Sequence, residues 1–190
     1  MPLEYIRDKT IDLNVFAHQT FEIAEYENCA FKNLDLGSNI LSGCIFSDCT
    51  FEECNLSLCQ LKNTSFKTVR FNHCKMLGLR WDECKPFLFA VGFLHCILDM
   101  NNFYSVNLKK TNFSSCSLVE TDFSQADMSF VHMDDCELKN AVFDHTNLQY
   151  ADFTTSRQYI IDPEKNNIKK ASFSWPALVG LLTKYDIKVQ

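Results

Sequence analysis

A large apolar residue occurs at every fifth position over most of this 190-residue chain. From Ile6 to Trp81, sixteen consecutive positions of this series are apolar, although only 46% of all residues are hydrophobic. A second series, displaced by two residues, begins at Leu88 and continues to Phe153. A period of five fits neither an α-helix, with about 3.6 residues per turn, nor a single β-strand, with a period of about two. The pattern therefore predicts a repeat architecture.

A small residue usually stands two positions before each large one, and nine of the ten cysteines occupy this place. Alanine, valine or threonine takes the same place in other repeats, as at Ala24, Val69 and Thr121. Because a free cysteine behaves as a small hydrophobe, this distribution predicts thiols that pack in the core. Metal sites need thiolates that converge on one point, and steps of five residues around a coil would separate them. Only Cys84, at the displacement, has no place in the pattern.

The repeat unit has the order small, any, large apolar, polar, polar, as in CTFEE, TNFSS and ADFTT. In this pattern the chain resembles the pentapeptide-repeat proteins over about residues 6–155. The resemblance implies an all-β fold, a right-handed quadrilateral parallel β-helix in which four pentapeptides make one coil.

Sorting every fourth central residue produces columns of similar size, which supports a coil of four pentapeptides. One column contains Phe31, Phe51 and Phe71, and another begins with Phe16 and Leu36. The columns stay matched only if two extra residues near 82–87 form a bulge. With coils spaced by about 4.8 Å, eight coils would make a rod of about 38 Å with a filled interior.

We therefore expect residues 1–155 to form the β-helix. Residues 156–190 are expected to contain an irregular last turn, a capping helix over 175–185 and a terminal strand at Asp186–Gln190. Ser174 and Pro176 suit the start of that helix. The helix either covers the open end of the solenoid or forms a homodimer interface, as the resemblance to the quinolone-resistance subfamily implies. The candidate dimer residues are Trp175, Leu178, Leu181, Leu182 and Tyr185.

Charged residues are distributed in bands along the chain, whose net charge is -6. Residues 22–53 contain one basic and seven acidic side chains, and residues 60–80 contain five basic and no acidic ones. Residues 120–152 contain one basic and eight acidic side chains. This acidic balance argues against direct binding to nucleic acid through phosphates. The bands are either a solubility feature or the surface that a protein partner recognises.

The sequence shows no Ser–His–Asp arrangement and no glycine-rich phosphate loop, and it has five glycines in all. We therefore expect no enzyme activity, cofactor or metal site. His73 and His95 occupy equivalent outward positions, with Glu53 and Asp135 in the same column, and a solvated polar column is favoured over a metal site. No run of residues is apolar and long enough to cross a membrane, and the N-terminus lacks a signal sequence pattern, which predicts a soluble cytoplasmic protein.

The resemblance to the subfamily that mimics duplex DNA implies a protein partner, DNA gyrase or topoisomerase IV, and a role in quinolone resistance or self-immunity. A DNA duplex as long as the rod would carry about 22 phosphate charges, which disfavours mimicry over the full length. The alternative is a β-helical scaffold for an unrelated protein partner, which an outward apolar stripe or aromatic residues of the bulge would contact. The candidate partner-binding residues are the acids Asp122, Asp127, Asp134, Asp135, Glu137 and Asp144, the apolar stripe of Leu58, Leu77, Met100 and Val119, and Phe87 and Phe89 of the bulge.

Overall fold

The computed structural model describes residues 3–12 and 21–188. Over these ranges the chain winds as a right-handed, four-sided parallel β-solenoid of about 8 turns. Its strands are β1 (Glu4–Arg7), β2 (Thr10–Ile11), β3 (Ala24–Glu27), β4 (Ala30–Lys32), β5 (Ile45–Ser47), β6 (Thr50–Glu52), β7 (Ser65–Lys67), β8 (Val69–Asn72), β9 (Val91–Leu94), β10 (Asn112–Ser114), β11 (His132–Asp134), β12 (Asp152–Phe153) and β13 (Ser172–Phe173).

Each of the four sides of the solenoid is a ladder of parallel pairs. Side 1 contains the sheet β1-β3-β5-β7, and side 2 contains the sheet β13-β12-β11-β10-β9-β8-β6-β4-β2. Side 3 consists of isolated bridges from Asp35 to Arg157, and side 4 of bridges from Ile40 to Val142. Bridges between Asn107 and Asn167 continue side 1. The four-sided fold predicted from the sequence is confirmed.

Stacked aromatic rings fill much of the interior. Phe31 and Phe51 stack with ring centroids 4.4 Å apart, and Phe51 and Phe71 continue the column at 5.0 Å. A second column contains Trp81 and Phe103, whose rings are 5.5 Å apart and nearly parallel. These central side chains are buried, which is the main apolar contribution to stability. Phe16, assigned from the sequence to the leucine column, lies outside the described residues.

The small residues of the repeat also donate hydrogen bonds. Cys59 Sγ donates to the carbonyl oxygen of Leu36 at 3.0 Å, and Thr64 Oγ1 donates to that of Leu41 at 2.7 Å. In both pairs the acceptor is a central residue of the preceding coil. The sequence indicated packing alone, but a thiol or hydroxyl here both fills the small space and satisfies a main-chain carbonyl. All ten cysteines are free, and Cys84 is the one that is not fully buried.

The corners of the solenoid use left-handed backbone conformations at the last residue of most pentapeptides. Ser38, with a φ of 60°, precedes Asn39, whose amide donates to Leu36 O at 2.9 Å, as in a type II turn. Glycine takes this place at Gly43 and Gly78. Elsewhere polar and even large apolar residues adopt it, at a conformational cost that the ladder bonds on both sides offset.

The two extra residues lie within residues 86–89. Strand partners are normally twenty residues apart, but Val69 pairs with Val91, twenty-two residues on. A turn with Leu88 at a φ of 57° follows Pro86, and Phe89 packs against the core with its ring 6.1 Å from Trp81. The assignment of Leu88 as the central residue was wrong, because Leu88 points outward and Phe89 occupies the interior instead. A 3-10 helix at Trp81–Glu83 leads into this segment.

The C-terminal segment has a 3-10 helix at Trp175–Leu178, α1 at Val179–Leu182 and a 3-10 helix at Thr183–Tyr185. Gly180 lies so close to Tyr159 that an added Cβ would be 2.1 Å from its carbonyl oxygen. Lys184 Nζ lies 2.8 Å from Asp162 Oδ1 and 2.6 Å from a Glu164 oxygen.

These contacts fix the helical segment on the last coil. The predicted strand at Asp186–Gln190 differs from the structure, since residues 186–188 form no strand and Asp186 adopts a φ of 50°. Residues 189 and 190 lie outside the described part of the chain.

Candidate interaction surfaces

The six predicted acidic contact residues lie on all four sides of the solenoid. Asp122 and Asp144 belong to side 4, Asp127 to side 1, Asp134 to side 2 and Glu137 to side 3. Asp135 is at the corner that follows side 2. The acidic band is therefore a ring around the rod, and a partner that touches one side meets only part of it.

Several of these carboxylates already have partners. Asp135 pairs with Arg157 at 3.1 Å, and Asp144 lies 3.1 Å from His145 and 3.7 Å from Lys165. Others accept main-chain amides of their own turn, as Asp122 does from Ser124 at 2.8 Å, or side-chain amides of the next coil, as Asp127 does from Asn147 at 2.9 Å. Among the described residues, the carboxylates of Asp134 and Glu137 form neither a salt bridge nor a hydrogen bond. Of the six predicted acids, these two are therefore the most available to a partner.

The basic band also encircles the rod. Lys62 and Arg80 lie on side 4, Lys67 on side 1, Arg70 on side 2 and Lys75 on side 3. Arg80 forms a salt bridge of 2.7 Å with Asp82. The surface therefore alternates along its axis between an acidic ring, a basic ring and a second acidic ring.

The predicted apolar stripe lies on side 3. Leu58 is 63% exposed and leans over Gly78, where an added Cβ would lie 3.0 Å from Leu58 Cδ2. Main-chain bonds join Leu58 to Leu77 and Met100 to Val119, so the structure brings these four residues onto neighbouring coils. Ile97, also exposed, lies on the same coil as Met100. Sequence analysis missed Ile97, although its position before a central residue marks it as outward-facing.

The bulge presents an aromatic tip beside a shallow cleft. Phe87 is 73% exposed, whereas Phe89 is half-buried, packs against the core and lines the cleft. The cleft beside them has a volume of about 420 Å³ and includes Tyr104 and Cys84. Burial raises the pKa of the Cys84 thiol, which keeps it protonated and poorly nucleophilic.

The five candidate dimer residues differ in accessibility. Trp175 is 85% exposed and Tyr185 is exposed, whereas the three leucines are half-buried. Leu181 packs against the core of the last coil. Val179 is exposed and was not predicted. The accessible apolar surface of this segment therefore consists of Trp175, Val179 and Tyr185.

A surface column that sequence analysis missed lies at the corner after side 1. Phe130 and Tyr150, on adjacent coils, stack with ring centroids 4.6 Å apart and an interplanar angle of 5°. Lys109 Nζ lies 5.7 Å from the Phe130 centroid, and Lys170 Nζ lies 5.1 Å from the Tyr150 centroid. We call these four residues the lysine–aromatic column. The signal in the sequence was the recurrence of Lys110, Phe130, Tyr150 and Lys170 at intervals of twenty.

Family models match both halves of the repeat region. The model described as a pentapeptide repeat region matches residues 20–85, and the model described as pentapeptide repeats (8 copies) matches residues 102–140 and 121–157. The chain belongs to the pentapeptide-repeat family. A comparison with curated proteins finds no match for this pentapeptide-repeat protein.

Two solved structures of trypsin-treated variants of QnrB1, a plasmid-mediated fluoroquinolone resistance protein, share the fold of this pentapeptide-repeat protein. The first has a TM-score of 0.64 and 18% sequence identity, covering 99% of this chain and 98% of that one. The second has a TM-score of 0.62 and 20% identity, and covers 100% of both chains. At these identities the likeness establishes the fold and not the activity.

The outward histidines of this pentapeptide-repeat protein stack on each other, with the His73 and His95 ring centroids 4.7 Å apart. Within residues 3–12 and 21–188, no group of three or more histidine, cysteine, aspartate or glutamate side chains is arranged to hold a metal ion. Over the same ranges, no helix has the length and apolar character needed to cross a membrane.

Proposed function

We propose that this pentapeptide-repeat protein is a non-catalytic interaction protein that modulates a type II topoisomerase, DNA gyrase or topoisomerase IV, and thereby contributes to quinolone resistance or self-immunity. The observation that carries the proposal is the agreement in fold with QnrB1 over nearly the whole of both chains. QnrB1 is named as a fluoroquinolone resistance protein. The filled interior supports a role that depends on the outer surface.

The charge of the outer surface limits how such a protein resembles DNA. A duplex carries about one negative charge per 1.7 Å, whereas this chain has a net charge of -6 and a basic ring. Mimicry is therefore confined to the second acidic ring, which has one basic and eight acidic side chains over residues 120–152. Because this ring faces every direction, it presents carboxylates to both walls of a positively charged groove.

A homodimer formed through the C-terminal segment would place two such rings on one particle. Trp175, Val179 and Tyr185 supply the accessible apolar surface for that contact. The segment lies against the last coil, so a tail-to-tail dimer would join the two solenoids near their acidic halves. The proposed dimer would double the length of the DNA-like surface.

The proposal is tested by titrating the purified protein into gyrase supercoiling and ciprofloxacin-dependent cleavage assays. We expect the protein to inhibit supercoiling or to reduce quinolone-stabilised cleavage at micromolar concentrations. No effect on either reaction at tens of micromolar, for gyrase and for topoisomerase IV, would contradict it.

A second candidate function is a scaffold that binds an unrelated protein through side 3. The observation that favours it is the alignment of five apolar residues on neighbouring coils, which are Leu58, Leu77, Ile97, Met100 and Val119. Charged substitutions at Leu77 and Met100 are expected to release a co-purifying partner without changing the effect of the protein on gyrase supercoiling or cleavage. Loss of the gyrase effect with the same substitutions would instead assign the stripe to the first function.

A further inference from the structure

The lysine–aromatic column is an exposed cationic surface within the acidic half of the molecule. Four lysines flank the two rings, because Lys109 and Lys110 lie one coil before Phe130 and Lys169 and Lys170 lie one coil after Tyr150. All four lysines are exposed. Among the described residues, no carboxylate lies within ion-pair distance of any of the four ammonium groups. The site therefore combines unpaired positive charges with exposed aromatic carbon.

The orientation of the rings decides which ligands fit. One face of each ring is covered by the other ring, and a lysine ammonium lies over each remaining face. A nucleic acid base would need an open ring face on which to stack. Only the ring edges are available to a ligand, and ring edges favour contact with aliphatic side chains and with negative charge. The surrounding acidic ring would also repel a ligand with many closely spaced negative charges more strongly than one with two. The column thus excludes single-stranded nucleic acid and favours a peptide.

The spacing of the lysines specifies that peptide further. The lysines at the two ends are three coils apart, which corresponds to about 14 Å at about 4.8 Å per coil. An extended peptide rises about 3.4 Å per residue, so about 14 Å separates residues i and i+4. Side chains at i, i+2 and i+4 of an extended strand point to the same side. Acidic side chains at i and i+4 would meet the two lysine pairs, and an apolar side chain at i+2 would lie over the rings.

We propose that the lysine–aromatic column binds an extended acidic segment of a partner protein, with carboxylates four residues apart and an apolar side chain midway between them. This site is separate from the acidic ring, and it does not depend on whether the partner is a topoisomerase. It gives the molecule a second recognition surface of opposite charge.

The test uses a fluorescein-labelled pentapeptide with aspartate at both ends, leucine in the centre and serine elsewhere, followed by fluorescence anisotropy. We expect saturable binding to the full-length protein, weakened at least threefold when sodium chloride rises from about 50 to 300 mM. The double variant Phe130→Ser/Tyr150→Ser should raise the Kd about tenfold. Ser38 and Ser105 already occupy equivalent left-handed positions, so this variant is compatible with the fold. A second variant, Lys109→Ala/Lys170→Ala, should raise the Kd about fivefold or more.

Two controls make the result specific. Lys139→Ala removes an exposed lysine elsewhere and should leave the Kd unchanged, and a peptide with the aspartates three residues apart should bind at least threefold more weakly. Equal Kd values for wild type and both column variants, or equal Kd values for both peptides, would overturn the proposal. Tighter binding of an oligothymidine than of the pentapeptide would overturn it as well, because it would identify the column as a nucleic acid site.

Discussion

The buried side chain of Asn101 accepts a hydrogen bond of 2.9 Å from the indole nitrogen of Trp81 through its Oδ1 atom. The same oxygen accepts from the Leu79 amide at 3.2 Å, and Nδ2 donates to the Met76 carbonyl at 2.7 Å. Nδ2 also donates to the Leu98 carbonyl, so this one side chain bonds at least four polar groups beside the two-residue bulge. Asn101 stands where most repeats have a small residue, and its bond to the Trp81 indole is one that a small residue could not make.

Replacing Asn101 by alanine should lower the free energy of unfolding by about 2–4 kcal/mol, because it leaves the Trp81 indole N–H and the Leu79 amide buried without acceptors. Thr121→Ala is the matched control, since Thr121 follows one coil later and donates one hydrogen bond to Leu98. That variant should lose about 1 kcal/mol. Urea unfolding measures both values, and equal losses would contradict the role given to Asn101.

The left-handed corners predict an unusual response to substitution at Met100, which has a φ of 58° and an exposed side chain. Isoleucine should destabilise the protein by about 1–2 kcal/mol, because a β-branched residue fits this conformation poorly. Asparagine, which tolerates it, should leave stability unchanged or slightly raised. Thermal unfolding of both variants checks this, and a stable Met100→Ile variant would show that the corner relaxes to another conformation.

The buried thiols predict a loss of stability in alkali. Burial raises the pKa of Cys49 to about 11 and that of Cys59 to about 12, whereas an unfolded thiol titrates near about 8.5. As the pH rises above about 8.5, the unfolded chain loses these protons first, so the unfolded state gains relative stability. The contribution of each thiol is complete below about pH 8.5 and is lost as the pH rises towards its folded pKa.

We therefore expect the free energy of unfolding to fall by about 1 kcal/mol per pH unit for each such thiol between about pH 9 and 11. A Cys49→Thr/Cys59→Thr variant should show a smaller slope, because a hydroxyl can donate the same bond, as Thr64 does. Urea titrations at several pH values measure the slopes. Identical slopes in the two proteins would mean that these thiols are not protected by burial.

The C-terminal segment predicts a dimer that depends on Trp175 and Val179. The wild type should be a dimer by light scattering, and Trp175→Ser/Val179→Ser should be a folded monomer. Val142→Ser, which changes an exposed valine on side 4, should remain a dimer. Leu181→Asp is a poor test, because Leu181 packs against the core and the charge would disrupt the last coil. A monomeric wild type at tens of micromolar would contradict the proposed dimer.

The fold could be predicted because the period of five and the matched columns are properties of buried residues. Phe31, Phe51 and Phe71 lie above one another because like residues stack well in successive coils. The exchange of Leu88 and Phe89 could not be predicted, since it depends on the backbone path of a bulge that interrupts the period. The hydrogen bonds of the thiols could not be predicted, because the sequence pattern indicates a small side chain and not the carbonyl group that lies beside it.

The candidate surfaces were harder to predict because outward residues are not constrained by the repeat. The charge bands were visible in the sequence, but only the bridges of the four sides show that each band is a ring. Phe130 and Tyr150 stand outside the five-residue series, although their separation of twenty places them in contact. An interval of twenty between two outward aromatic residues is therefore the sequence signal for such a pair.

The most direct test of the proposed function compares two charge-neutralised variants in the ciprofloxacin-dependent gyrase cleavage assay. Asp134→Asn/Glu137→Gln removes two charges from the second acidic ring, and Glu25→Gln/Glu53→Gln removes two from the first. Our account predicts that the wild type reduces cleavage, that the first variant needs at least a fivefold higher concentration for the same effect, and that the second matches the wild type. Equal activity of both variants, or no effect of the wild type at tens of micromolar, would contradict it.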